Sequence, residues 1–126
     1  MGLDVESYGN TLIIVLLDGS YVSEYADIGY NIAKSALGNG CAVKIFLYME
    51  SVHIPRKDND PRALPNISML FEELIKKGCE VKACIRCAAA RGYMDKSQYI
   101  DGIEITSVYD LAEWVGKTDK VITLGG

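Results

Sequence analysis

Thr11-Leu-Ile-Ile-Val-Leu-Leu17 is an unbroken apolar run that stops at Asp18-Gly19. A strand with one wet face alternates apolar and polar residues. A run without alternation marks a strand covered on both faces, as in the middle of a parallel sheet. The downstream segments fit that setting. A helical pattern follows with Tyr25, Ile28, Ile32, Ala33, Ala36 and Leu37 on one face, Ser23 placed to cap its start and Gly38-Asn39-Gly40 to stop it. Ala42 to Met49 predicts a second strand. Ile67, Leu70, Phe71, Leu74 and Ile75 have helical spacing, ended by Lys76-Lys77-Gly78. Glu80 to Ile85 is a third strand, Cys87 to Tyr93 an alanine-rich turn or two of helix, and Ile103 to Thr106 a fourth strand. Ser107, followed by Asp110, opens a last helix with Val108, Leu111, Ala112 and Val115 as its predicted buried face, and Lys120 to Leu124 is a fifth strand. Residues 51–66 hold all three prolines together with Arg56, Lys57, Asp58, Asn59, Asp60 and Arg62. No regular element is expected there, and a loop of that length is usually functional or disordered.

Strands alternating with helices imply an α/β fold: a three-layer α/β/α sandwich around a mostly parallel five-stranded sheet, joined by right-handed crossovers. The 126 residues suit one domain, 1–126, large enough to stand without disulfide staples. In such sheets the functional crevice lies beyond the carboxyl ends of the strands. Those ends are Asp18-Gly19-Ser20, Glu50 to His53, Cys84 to Cys87, Thr106-Ser107 and Gly125-Gly126.

The net charge is −4 and no basic run is present, which argues against direct nucleic-acid binding, since phosphate contacts want a positive field. The apolar run Leu12 to Leu17 is far below the ~20 residues that span a bilayer, and no basic n-region or small-residue cleavage site precedes it. A cytoplasmic protein with no membrane partner is therefore expected. There thiols stay reduced, so the four cysteines read as reactive thiols, metal ligands or core packing before structural disulfides.

Cys84 stands where the third strand runs out, and Cys87 at the predicted start of the following helix. A thiol near a helix N-terminus feels unpaired N–H groups and the positive end of the dipole, and Arg86 and Arg91 add positive charge. A thiolate is the nucleophile that sulfur transfer requires, and a second cysteine can resolve or share the cargo. Three rivals stand beside this. Both cysteines are inert core residues, as free cysteine often is. Or they belong to a zinc site, although a closed site wants four ligands and only Cys41, Cys79 and His53 remain to supply them. Or they perform dithiol exchange, although thioredoxin-like proteins carry Cys-x-x-Cys earlier in the chain.

The run Val81-Lys-Ala-Cys84-Ile-Arg-Cys87-Ala-Ala-Ala-Arg91-Gly92 resembles the active-cysteine segment of the DsrE/DsrF family, which includes the TusD sulfur-relay subunit. Phe46-Leu47-Tyr48-Met49, Ile103-Glu-Ile-Thr106, Tyr109-Asp-Leu111 and Lys120-Val-Ile-Thr123 extend the resemblance over nearly the whole chain. It implies a flavodoxin-like fold, assembly into homotrimers or hexamers, donor and acceptor proteins for sulfur, and carriage of sulfane sulfur on the cysteine matching Cys84. The protein would then be a sulfurtransferase or persulfide carrier needing no cofactor. A non-catalytic structural or regulatory subunit is the alternative. Cys87 departs from the single-cysteine TusD pattern and leaves a dithiol variant open.

His53, the single histidine, could serve as proton donor or cation beside a thiolate, or be a surface loop residue. Arg56, Lys57 and Arg62 could attract an anionic donor such as thiosulfate, or be solvated charges balanced by Asp58 and Asp60. Gly19 and Ser20 form a candidate binding turn, but without the Gly-rich fingerprint and lysine of a nucleotide site. Cys41 and Cys79 read as small packing residues at the opposite end of the sheet. Tyr21, Tyr25, Tyr30, Tyr93 and Tyr99 are many tyrosines for a small chain and suit an oligomer interface, over which the 51–66 loop could reach.

Overall fold

The computed structural model describes residues 8–126. Five strands, β1 (Thr11–Leu16), β2 (Ala42–Leu47), β3 (Glu80–Cys84), β4 (Ile103–Thr106) and β5 (Val121–Leu124), form one sheet in the order β4-β3-β2-β1-β5, every neighbouring pair parallel. Helices α1 (Tyr25–Gly38), α2 (Ile67–Lys76), α3 (Ile85–Ala90) and α4 (Val108–Val115) connect them. The expected α/β class and parallel sheet are thus observed. The edge position beside β1 goes to the last strand of the chain, where flavodoxin itself has its second.

The strand register sorts the two faces. Ile14, Ile45, Val81 and Ile103 align across four strands and are 0–1% exposed. α1 lies on this face: a Cβ on Gly29 would come within 3.0 Å of the Leu16 side chain and 3.6 Å of Leu124. The Tyr30 hydroxyl, donating to Glu73 at 3.0 Å, ties α1 to α2. The opposite row runs Val15, Phe46, Lys82, Glu104 and so turns from apolar to charged toward β4. Trp114 of α4 packs edge-on against Phe46, with ring centroids 6.1 Å apart. The Lys44 and Lys82 ammonium groups sit 5.3 and 5.1 Å from the Trp114 ring centroid, and Lys82 also binds Asp110 at 2.9 Å.

Several local expectations are corrected. β2 stops at Leu47 instead of Met49, and a 3-10 turn, Met49–His53, occupies what reads as the start of the proline-rich loop. The buried Ser51 hydroxyl causes this: it lies 2.6 Å from the Leu16 carbonyl and 2.7 Å from that of Tyr48, and so folds the chain back over the ends of β1 and β2. α1 is rotated from its predicted face. Ala26, Gly29, Tyr30 and Ala33 are buried while Tyr25 and Ile28 are each 40% exposed, because small residues allow the close approach to Leu16. Ser23 is not its cap residue; its hydroxyl accepts from Tyr25 N–H and donates to Asp18. In α4 the bulk of Trp114 sets the buried face with Leu111, leaving Val108, Ala112 and Val115 exposed, and the Asp110 carboxylate turns to Lys82 and Thr106 instead of closing a capping box. The 51–66 loop is bound to its own chain at both ends. Lys57 N–H donates to Gln98 and Ile100 N–H to Pro55, and the Tyr21 hydroxyl, held by a backbone at φ 66°, donates to Pro65 and accepts from Ile67 N–H.

Candidate functional site

The connection from β3 to β4 runs on the α1/α2 face, where Gly102 abuts Ile75 of α2, whereas α4 leaves β4 for the other face. The chains leaving these two adjacent strands therefore part in opposite directions, the arrangement that opens a binding crevice in α/β sheets. A cavity of about 360 Å³ lies there. Cys84, Ile85, Arg86 and Cys87 line it from the β3 side, Ser107, Val108 and Tyr109 from the β4 side, and Tyr48 from the end of β2.

Cys84 ends β3 and is itself the cap residue of α3, its backbone extended at φ −66°, ψ 124°. The helix begins at Ile85, two residues before the predicted start, which leaves Cys87 within its first turn. Both are free thiols, 3% and 7% exposed, reached only through the cavity. Burial pushes the Cys87 thiol up from its ordinary range, and the neighbouring Cys84 side chain acts in the same direction. The Met49 backbone N–H acts the other way and opposes this. Met49 holds that position with φ at 56°, a left-handed conformation uncommon for a non-glycine residue.

Arg91 is fixed from two sides: its Nε donates to the Glu50 carboxylate and its Nη1 to the Cys87 carbonyl at 3.1 Å. The other Glu50 oxygen lies 3.9 Å from Nε2 of His53, whose Nδ1 is 2.7 Å from the Tyr93 hydroxyl. The His53 pKa is lowered, first by burial and then by Arg91 and Arg56, with Glu50 pulling the other way. His53 therefore joins the cysteine segment through Glu50 and Arg91. Gly19 packs under the same turn, for a Cβ there would stand 2.9 Å from the Glu50 carbonyl oxygen. Gly19 and Ser20 follow β1, and β2 separates them from the cysteine cavity. Asp18 beside them accepts from the Ser23 hydroxyl and the Gly126 N–H, which hold its carboxyl below the usual range.

The structure adds Glu50, Tyr48, Tyr93 and Tyr109 to the residues singled out in the sequence. Glu50 carried a signal, its place just beyond a strand end. Cys79, buried at the far end of the sheet, has its thiol pushed up to about 12 by burial. Among the described residues no three His, Cys, Asp or Glu side chains gather as a metal site needs, and no helix is long and apolar enough to cross a membrane.

Comparison with known proteins agrees with this layout. The chain is 36% identical over 121 residues to the uncharacterized protein MK0008 of Methanopyrus kandleri, covering 96% of this chain and 94% of that one. It is 31% identical over 110 residues to the uncharacterized protein MJ0989 of Methanocaldococcus jannaschii, covering 87% and 96%. The crystal structure of Escherichia coli YchN superposes with a TM-score of 0.81 at 27% identity, covering 90% of this chain and 99% of that one. MTH1491 of Methanobacterium thermoautotrophicum shares the fold, with a TM-score of 0.70 at 17% identity over 90% of this chain and 97% of its own. The DsrE/DsrF-like family pattern matches residues 10–124, both cysteines and Arg91 among them, and the chain belongs to that family.

Proposed function

We propose that the protein carries sulfane sulfur on Cys84, as a persulfide carrier or sulfurtransferase. The carrying observation is the pair of free thiols that together line the crevice between β3 and β4. The Cys84 thiolate attacks the outer sulfur of a donor persulfide R–S–SH. The donor S–S bond breaks, R–S⁻ leaves with the bonding pair, and Cys84–S–SH remains. An acceptor thiolate then takes the outer sulfur in the same way. Cys87, kept protonated by its burial, offers an S–H to the Cys84 sulfur as charge develops there. Arg86 lines the same cavity and supplies a cation for an anionic donor. The donors and acceptors are thiol-bearing proteins or small thiols, the compartment is the reducing cytoplasm, and the working unit is a homotrimer or hexamer.

The shared cavity of the two cysteines also favours a second reading, dithiol exchange. Attack of Cys87 on the inner sulfur of Cys84–S–SH would form the Cys84–Cys87 disulfide and release HS⁻. Intact-mass measurement after incubation with a persulfide donor separates these. The wild type and Cys87→Ser should gain the mass of one sulfur atom and Cys84→Ser should not. Uptake by Cys84→Ser at the wild-type level would overturn the assignment, and loss of two hydrogens from the wild type without gain of sulfur would favour dithiol exchange.

A further inference from the structure

A second cavity of about 360 Å³ lies on the far side of His53 from the cysteines, lined by Arg56, Lys57, Asp58, Tyr93, Ser97 and Gln98. It is built by a short antiparallel pairing in which Arg56 bridges Tyr99 while Lys57 N–H donates to Gln98 and Ile100 N–H to Pro55. Gln98 is committed to this frame, since its side chain caps Met94 and Asp95 N–H and donates to the Gly92 carbonyl. Tyr93 is committed to His53 and Asp58 to Arg56, whereas several donors of the lining are free. Arg56 uses only Nε, on the exposed Asp58. Its two terminal amino groups, the Lys57 ammonium and the Ser97 hydroxyl have no protein partner among the described residues. The lining charges are two cations and one carboxylate, a net of 2 − 1 = +1. Unpaired donors with net positive charge around an open cavity match an anion with several acceptor oxygens.

We propose that this cavity binds a small oxyanion, held by Arg56, Lys57 and Ser97, and that His53 transmits its occupancy to the cysteine segment. The route is on hand. Arg56 is one of the charges acting on His53, together with Arg91 and Glu50, while the Tyr93 hydroxyl forms a wall of the cavity and touches His53 Nδ1. Asp58 faces Arg56 and Tyr93 and weakens the positive field at the cavity. An oxyanion on Arg56 offsets that cation and favours imidazolium. Imidazolium then competes with Arg91 for the Glu50 carboxylate, and Arg91 is the side chain anchored on the Cys87 carbonyl. The binding half stands apart from sulfur transfer; the transmission half rests on Cys84 and Cys87 being the reacting centre.

His53 is the single histidine of the chain, so its imidazole proton resonances report on this route without overlap. They are titrated with pH in wild type and in Arg56→Gln/Lys57→Gln, with sodium sulfate, sodium thiosulfate, or sodium chloride at matched ionic strength. A saturable upward shift of the His53 midpoint with sulfate or thiosulfate, absent with chloride and absent in the double variant, is expected. No saturable shift, or one of equal size in the double variant, overturns the site. For transmission, alkylation of Cys84 and Cys87 by iodoacetamide is followed by mass, with and without saturating sulfate. A rate change of several-fold in wild type that vanishes in Glu50→Gln is expected, and an unchanged wild-type rate overturns transmission. A protein that passes both tests but fails to take up sulfur leaves the oxyanion site standing and removes the sulfur-carrier reading.

Discussion

Glu50 holds Arg91 and faces His53 with its carboxylate, and has its backbone pressed on Gly19, so one residue joins three of the candidate residues. Glu50→Gln keeps the shape and removes the charge. Arg91 should then lose its anchor, and sulfur uptake by Cys84 should slow roughly 10- to 100-fold, the scale of a small misplacement in a reacting site. Single-turnover mass measurement reads this, and an unchanged rate would show that Arg91 needs no such anchor. His53 supplies a pH test. Its folded pKa lies below the ordinary value of 6.5, so below that value the unfolded chain binds a proton that the folded chain refuses. Stability should fall as pH drops through 6.5 toward the lowered value and recover as it rises, and His53→Gln should flatten this part of the profile in urea melts. Cys84, Cys87 and Arg91 were legible because their spacing follows directly from chain position. Glu50 and Tyr93 were legible by position alone, the one beyond a strand end and the other among many tyrosines; their contacts were not, since these form only when the 3-10 turn and the 93–100 segment close on each other.

Elements carry the next scale of constraint. The strands were legible almost to the residue, because a strand buried on both faces needs an apolar run and each run ends at a turn. Helix rotation was less legible. Hydrophobicity alone put Tyr25 and Ile28 inward, while the structure buries Ala26 and Gly29, since close approach to Leu16 and Leu124 at Gly29 favours small side chains. The same failure occurs in α4, where the large Trp114 outweighs the two exposed valines. Trp114 is 2% exposed and is the aromatic contact of α4 with Phe46 on the sheet. Trp114→Ala should cost about 3–5 kcal/mol, the range for removing a buried tryptophan, measured by urea denaturation. A loss below about 1 kcal/mol, well short of that range, would mean that α4 is held by its Lys82–Asp110 contact instead. Gly102 is a sharper case. It holds φ at 94° and a Cβ would lie 2.7 Å from the Ile75 side chain, so Gly102→Ala combines backbone strain with a clash and should destabilise by more than about 1 kcal/mol.

At the scale of the whole molecule, what stands out is where apolar surface remains. Around the cysteine cavity Met49 is 45% exposed, Ile85 51%, Val108 42% and Tyr109 80%, so the two thiols sit at the bottom of an apolar rim. Exposed apolar groups gathered around one cavity mark a docking surface. The charge-bearing face of the sheet ends there too, with Lys82 already paired to Asp110, and Arg86 is the exposed cation that a docking surface must accommodate. We propose self-assembly with the Cys84 cavity beside a subunit boundary, with a trimer or a dimer of trimers as the closed form. The 51–66 loop, bound at both ends to its own chain, is not required to cross that boundary. Size exclusion with light scattering at micromolar concentration should give three or six times the 13.8 kDa chain mass for wild type, and a smaller species for Tyr109→Glu, which puts a charge on the most exposed aromatic of the rim. A wild-type monomer would refute assembly. An intact oligomer in Tyr109→Glu that still takes up sulfur would move the boundary to the other exposed apolar group, Val22, Leu64 and Met69, and leave the cysteine rim open to donor and acceptor proteins.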